Sequence, residues 1–188
     1  MIICVYSSSS NNIDSSFFDV ATELGKAIAD DNHTLIYGGA TVGLMGAVAD
    51  AVKLNGGEVI GVLPSFMQNI GIEYTNADEL VITEGMRDRK AVMESRADAF
   101  IALPGGFGTL EEMLEVITLK QLGLHNKPIV FINQNGFYDD MINMFEKIFE
   151  NHFAKPKYRI LYHFANDIKD CMNYIDSYKP MDELVKWF

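Results

Sequence analysis

Three stretches of this sequence hold residue types that could do chemistry together. Leu103-Pro104-Gly105-Gly106-Phe107-Gly108-Thr109-Leu110-Glu111-Glu112 is a glycine-rich turn that leads from an apolar strand into a helical pattern. Glycines let the backbone approach a ligand closely, and a helix N-terminus offers unpaired N–H groups and partial positive charge, so the turn suits a phosphate. Met86-Arg87-Asp88-Arg89-Lys90, with Arg96 seven residues after Arg89, gathers cations on one helical stretch. An arginine fork can grip a phosphate or carboxylate through two parallel hydrogen bonds and keeps its charge at working pH. The third stretch, Tyr37-Gly38-Gly39-Ala40-Thr41-Val42-Gly43-Leu44-Met45-Gly46, repeats the order strand, glycines, helix.

Each stretch also has a plainer reading. Either glycine turn can serve close helix-to-strand packing. The cations can line a solvated helix face, with Lys90 and Glu94 as an i,i+4 pair. Thr109 followed three residues later by Glu112 matches a capping box, in which the glutamate satisfies backbone N–H groups. The same carboxylate beside a bound phosphosugar could stabilise positive charge at a sugar carbon or orient a water. Residue types alone leave both readings of Glu112 open.

Other chemistries lack their residues. Gly106-Phe107-Gly108 begins like a dinucleotide fingerprint, but Glu111 stands at the third glycine position. The next strand leads into Asn133-Gln134-Asn135-Gly136, without the acid that binds a ribose hydroxyl. His33, His125, His152 and His163 show no metal-ligand spacing, and Ser7 to Ser10 lack the context of a nucleophile elbow. We therefore expect no metal and no cofactor.

The elements that must position these stretches alternate. Expected strands are Ile2 to Tyr6, Thr34 to Tyr37, Glu58 to Val62, Leu80 to Thr83, Ala99 to Leu103, Pro128 to Ile132 and Ile160 to Tyr162. Helical periodicity covers Phe17 to Ala29, capped by Asp14, then Leu44 to Leu54, Met86 to Ala97, Leu110 to Leu122, Tyr138 to Glu150 and Asp167 to Tyr178. Apolar strands alternating with helices predict an α/β fold: a doubly wound, Rossmann-like parallel sheet with helices on both faces. Ligands of such sheets bind outside the carboxyl ends of the strands, where the glycine turns fall. A chain of 188 residues with 48% hydrophobic content and no long linker is expected to form a single domain over residues 1–188.

With 15 Lys plus Arg against 26 Asp plus Glu, the net charge of -11 repels a nucleic-acid polymer, while leaving room for a small anion at a local cationic site. Two distant cysteines, Cys4 and Cys171, make no disulfide framework and point to a reducing compartment. No run approaches the roughly 18 apolar residues of a membrane span. The start, Met1-Ile2-Ile3-Cys4-Val5-Tyr6-Ser7, reads as a strand rather than a signal peptide, so the cytoplasm is the expected location.

Pro104 to Glu112 matches PGGxGTxxE, and Met86 to Lys90 matches the M-x-x-R-K element that precedes it. Tyr37 to Gly39, Val42 to Gly46 and Gln121 to Pro128 follow the same pattern. From Cys4 to about Glu150 the sequence resembles the LOG ("Lonely Guy") family of cytokinin riboside 5′-monophosphate phosphoribohydrolases. The resemblance implies hydrolysis of the N-glycosidic bond of an N6-modified adenosine 5′-monophosphate, or of AMP, to free base and ribose 5-phosphate. It implies Arg89 and Glu112 as the catalytic pair and Gly105, Gly106, Gly108 and Thr109 as the phosphate cradle. Lys90, Met86 and Thr118 would line the nucleotide site, and two copies of the chain would complete each other's sites as a homodimer. The chain departs from the family where Tyr6 precedes Ser7-Ser8-Ser9-Ser10 in place of Cys-Gly-Ser-Ser, and where Ala40 replaces a frequent third glycine. An older lysine decarboxylase label for the family would require a lysine holding pyridoxal phosphate, and no residue marks one. The rival on a related scaffold is a non-catalytic carrier of a phosphorylated cofactor such as the molybdenum cofactor. Retention of both Arg89 and Glu112 favours the enzyme.

Overall fold

The structure, a computed structural model, describes residues 1–68 and 70–180. The described residues form a seven-stranded sheet in the order β4-β3-β2-β1-β5-β6-β7. Its strands are β1 (Ile2–Tyr6), β2 (Thr34–Tyr37), β3 (Glu58–Pro64), β4 (Glu79–Thr83), β5 (Ala99–Ala102), β6 (Ile129–Ile132) and β7 (His163–Ala165), each parallel to its neighbours. The central strands β1, β2, β5 and β6 are apolar almost throughout, because helices cover them from both sides.

One face carries α1 (Ser15–Asp30), α2 (Gly43–Leu54) and α6 (Ile168–Ser177), whose Leu24, Val48 and Cys171 pack into one core with Ile3, Leu35 and Val130. The other carries α3 (Met86–Arg96), α4 (Phe107–Gln121) and α5 (Asp139–Glu150), with Met93, Met113 and Met141 packed among Cys4, Ile36 and Phe100. Strand order turns back at β1, whose two neighbours are β2 and β5. The chain leaving β1 and the chain leaving β5 therefore diverge around a crevice at their carboxyl ends, where a ligand fits.

Two sequence expectations are corrected. The seventh strand is His163–Ala165, pairing with Val130 to Ile132, whereas Ile160 and Leu161 belong to a 3₁₀ turn, Pro156–Leu161. An edge strand need not be apolar on both faces, and the sequence there offered Ile160-Leu161 as the stronger apolar signal. The fourth helix begins at Phe107, three residues before the expected Leu110, because Gly106 rather than a polar side chain stands at its N-cap. Asp14 caps α1 as expected, accepting from the Ser16 N–H at 2.9 Å. Lys120 on α4 is a buried cation whose Nζ donates to the Leu161 carbonyl at 2.9 Å and lies over the Tyr178 ring; burial pushes its amine down to about 8. Among the described residues no helix is long and apolar enough to cross a membrane.

Candidate active site

The site is built from the ends of three strands and the first turns of two helices. Arg89 leaves the first turn of α3 and runs across the carboxyl ends of the strands beside it. Its Nε donates to the Val62 carbonyl of β3 at 3.1 Å, and its Nη1 donates to Glu112 Oε1 at 2.8 Å. Both side chains are largely buried, at 8% and 9% exposure for the two residues, so the pair is held in a fixed geometry with little competing water.

The third guanidinium nitrogen explains a glycine. A Cβ built on Gly38 would lie 2.1 Å from Arg89 Nη2. The second glycine turn thus divides its labour. Gly38 makes room for Arg89, whereas Gly43 and Gly46 would set a Cβ against the backbone of Ser8 and Thr41 and so serve packing. Asn11 Oδ1 accepts from the Gly43 N–H at 2.8 Å, and the Ser8 carbonyl accepts from Leu44 N–H at 2.9 Å. The N-terminus of α2 is filled by the chain's own acceptors.

The N-terminus of α4 differs. Gly106 caps it without a side-chain hydrogen bond, and nothing lies within 4 Å of a Cβ built on Gly106 or on Gly108. Thr109 is buried at 4% exposure and is tucked beneath the turn, where a Cβ on Gly105 would stand 2.1 Å from its Oγ1. A helix start without a side-chain cap, its partial positive charge and an adjacent hydroxyl are groups that can hold an anion. The capping-box alternative is excluded here, because Glu112 gives its carboxylate to Arg89 instead of to the helix start.

Burial pushes the Glu112 carboxyl up from its ordinary range, and the Arg89 charge only partly offsets that. A carboxylate so placed takes a proton from water more readily than an exposed one. Next to it, the Lys90 ammonium bridges Glu111 and Glu115 of α4 rather than pairing with Glu94. Glu94 is pushed up to about 7 by burial and by the neighbouring Glu115 charge. The cationic island read from the sequence is therefore dispersed: Arg96 pairs in bidentate fashion with Glu79, Lys90 with two glutamates, and Arg89 alone enters the strand ends.

Of the expected site residues, Arg89, Glu112, Gly105, Gly106, Gly108 and Thr109 gather at the carboxyl ends of the strands. Met86 stands exposed at the start of α3, four residues before Lys90. Thr118 does not join them within this chain. It lies exposed on α4, its hydroxyl bonded back to the Leu114 carbonyl, roughly 9 Å along the helix axis from Glu112. Sequence reasoning missed the acceptor Val62 and the role of Gly38. Their place at the carboxyl ends of strands was the one signal that could have drawn attention to them.

A protein-family model described as possible lysine decarboxylase matches residues 45–175. A probable cytokinin riboside 5′-monophosphate phosphoribohydrolase of Oryza sativa subsp. japonica is 41% identical over 183 residues, which is 97% of this chain and 73% of that protein. A cytokinin riboside 5′-monophosphate phosphoribohydrolase of Arabidopsis thaliana is 40% identical over 97% of this chain and 85% of its own. Among solved structures, the molybdenum cofactor binding protein of Rippkaea orientalis superposes with a TM-score of 0.72 at 24% identity, covering 94% of this chain and 95% of that one. The molybdenum cofactor carrier protein of Chlamydomonas reinhardtii gives 0.71 at 24% identity, over 93% and 95%.

Proposed function

Since the chain belongs to the LOG family of cytokinin riboside 5′-monophosphate phosphoribohydrolases, we propose that it hydrolyses the N-glycosidic bond of adenosine 5′-monophosphates, plain or N6-modified, to free base and ribose 5-phosphate. The observation that carries this reading is the buried Arg89–Glu112 pair set beside an uncapped, glycine-lined helix start. Backbone N–H groups of Gly105, Gly106 and Gly108 with the Thr109 hydroxyl hold the 5′-phosphate, and the sugar then extends toward Glu112. As the C1′–N9 bond lengthens, its electron pair leaves with the base and positive charge gathers at C1′. The Glu112 carboxylate opposes that charge and accepts a proton from the attacking water, whose oxygen bonds to C1′. The proton is returned to the departing base, which balances the reaction. Arg89 orients Glu112 and the nucleotide, and Lys90 and Met86 border the site.

The molybdenum-cofactor proteins share the scaffold, and a shared scaffold leaves the chemistry open. The buried Arg89–Glu112 pair, for which a carrier has no chemical need, favours hydrolysis. Incubation with AMP and with N6-isopentenyl-AMP, followed by measurement of free base and ribose 5-phosphate, is expected to show cleavage of at least one. Binding of either without cleavage would instead support a carrier.

The active unit in this reading is a homodimer acting in the cytoplasm. The exposed position of Thr118, on the outward side of the helix that carries Glu112, supports a role in a partner's site. Sedimentation equilibrium is expected to return twice the 21.0 kDa mass of the chain; a monomer with full activity would remove Thr118 from the site.

A further inference from the structure

We propose that Tyr138 is a positioning residue for the phosphate turn, acting through its hydroxyl on the Leu103 carbonyl. The inference rests on the phosphate-binding role given above to Gly105–Thr109. Tyr138 stands at the N-cap of α5, at 1% exposure, and its Oη donates to the Leu103 carbonyl at 2.8 Å. Leu103 is the residue at which the chain abandons the sheet. The last register pair between β5 and β6 is Ala102 with Phe131, so the Leu103 carbonyl lies one step past the ladder. The following residue, Pro104, has no N–H to contribute. Tyr138 supplies a side-chain donor where the sheet's own donors end.

The consequence falls on the turn. A carbonyl and the next residue's nitrogen share one peptide plane, so fixing the Leu103 oxygen fixes the plane that enters Pro104. The next plane is held from the opposite side, where the Ser8 N–H donates to the Pro104 carbonyl at 3.3 Å. Two successive planes are thereby clamped just before Gly105 and Gly106, the flexible residues that must present their N–H groups at a set angle. Without the clamp, ordering those glycines would fall to the ligand and weaken its binding.

Packing does not account for the hydroxyl. The Tyr138 ring meets Phe131 at 5.2 Å and Phe137 at 4.9 Å, both edge to face, and phenylalanine would satisfy each contact equally. A buried phenol costs desolvation unless it is bonded, and burial here raises its pKa so that it remains a proton donor. Its position is itself set by the corner after β6, where Asn133 Oδ1 accepts from the Tyr138 N–H at 2.7 Å and Asn133 Nδ2 donates to Asp139.

Tyr138→Phe tests the proposal, with calorimetric titration of ribose 5-phosphate and of adenosine into the full chain alongside AMP kinetics. The expected result is a loss of about tenfold in ribose 5-phosphate affinity and a matching rise in KM for AMP. Adenosine affinity and kcat should stay within about twofold, a separation that general destabilisation would not produce. Unchanged ribose 5-phosphate affinity overturns the proposal, as does an equal loss for adenosine, which would mark the hydroxyl as merely structural. If the wild-type chain binds neither AMP nor ribose 5-phosphate, the functional reading fails first and this proposal falls with it; wild-type binding undiminished in the variant sinks this proposal alone.

Discussion

Glu112→Gln is expected to lower kcat for AMP by about 10³-fold while leaving ribose 5-phosphate affinity within a factor of about three. The amide keeps an oxygen for the Arg89 Nη1–H and nearly the same volume, so the buried arginine retains an acceptor; it loses its counter-charge, and Tm should fall while the fold persists. What disappears, in the proposed mechanism, is the negative charge that faces C1′ and the group that takes the water's proton. The proposed phosphate cradle of Gly105, Gly106, Gly108 and Thr109 does not depend on that charge. A split of this kind, measured as kcat against product affinity, separates a catalytic carboxylate from a folding one. Equal activity of the variant and the wild type would remove Glu112 from the mechanism.

The pH profile follows with a definite sign. In the proposed mechanism only ionised Glu112 accepts a proton or opposes the sugar's charge, so activity is expected to fall as pH drops through the group's pKa. Burial lifts that pKa, more than Arg89 lowers it, so the acid limb of kcat should sit above the ordinary carboxylate range. The residual activity of the Gln variant should lack this limb. Glu94, pushed up to about 7, contributes a second titration near the same helices through Glu115 and Lys90, and Glu94→Gln distinguishes the two.

The strand-helix alternation was legible because its signals are local. Apolar runs such as Ile129–Ile132 and a cap such as Asp14 are decided by neighbouring residues. The edge strand His163–Ala165 was not, since its pairing with Val130 to Ile132 is a long-range event and its own residues are mixed in character. The same division holds within the site. PGGxGTxxE suggested a phosphate turn, yet Thr109 and Glu112 equally spelled a capping box. The three-dimensional approach of Arg89, from 23 residues earlier in the chain, is what removes the capping box. Arg96 shares a helix face with Arg89 in the sequence pattern, but Glu79 of β4 claims it. A cation's partner depends on strand order, which spacing along one helix does not contain.

Gly38→Ala makes that long-range dependence measurable. The added methyl would fall 2.1 Å from Arg89 Nη2, 3.1 Å from Met45 Sδ and 3.3 Å from Arg89 Cζ. The obstructing atoms are the far ends of side chains, so the backbone of the turn need not move, and the cost to folding is that of displacing one member of a buried ion pair. The guanidinium must move instead. Its bonds to the Val62 carbonyl and to Glu112 are set by a single side-chain path, and a shift of about an ångström at such a site can reduce turnover about a hundredfold. The expected result is therefore a variant that folds with a lowered Tm, keeps its affinity for ribose 5-phosphate and has kcat for AMP lowered about 10²-fold. An equal loss of ribose 5-phosphate affinity and of kcat would assign Gly38 to packing, in company with Gly43 and Gly46. Unchanged kcat would mean that the position of Arg89 does not limit the reaction.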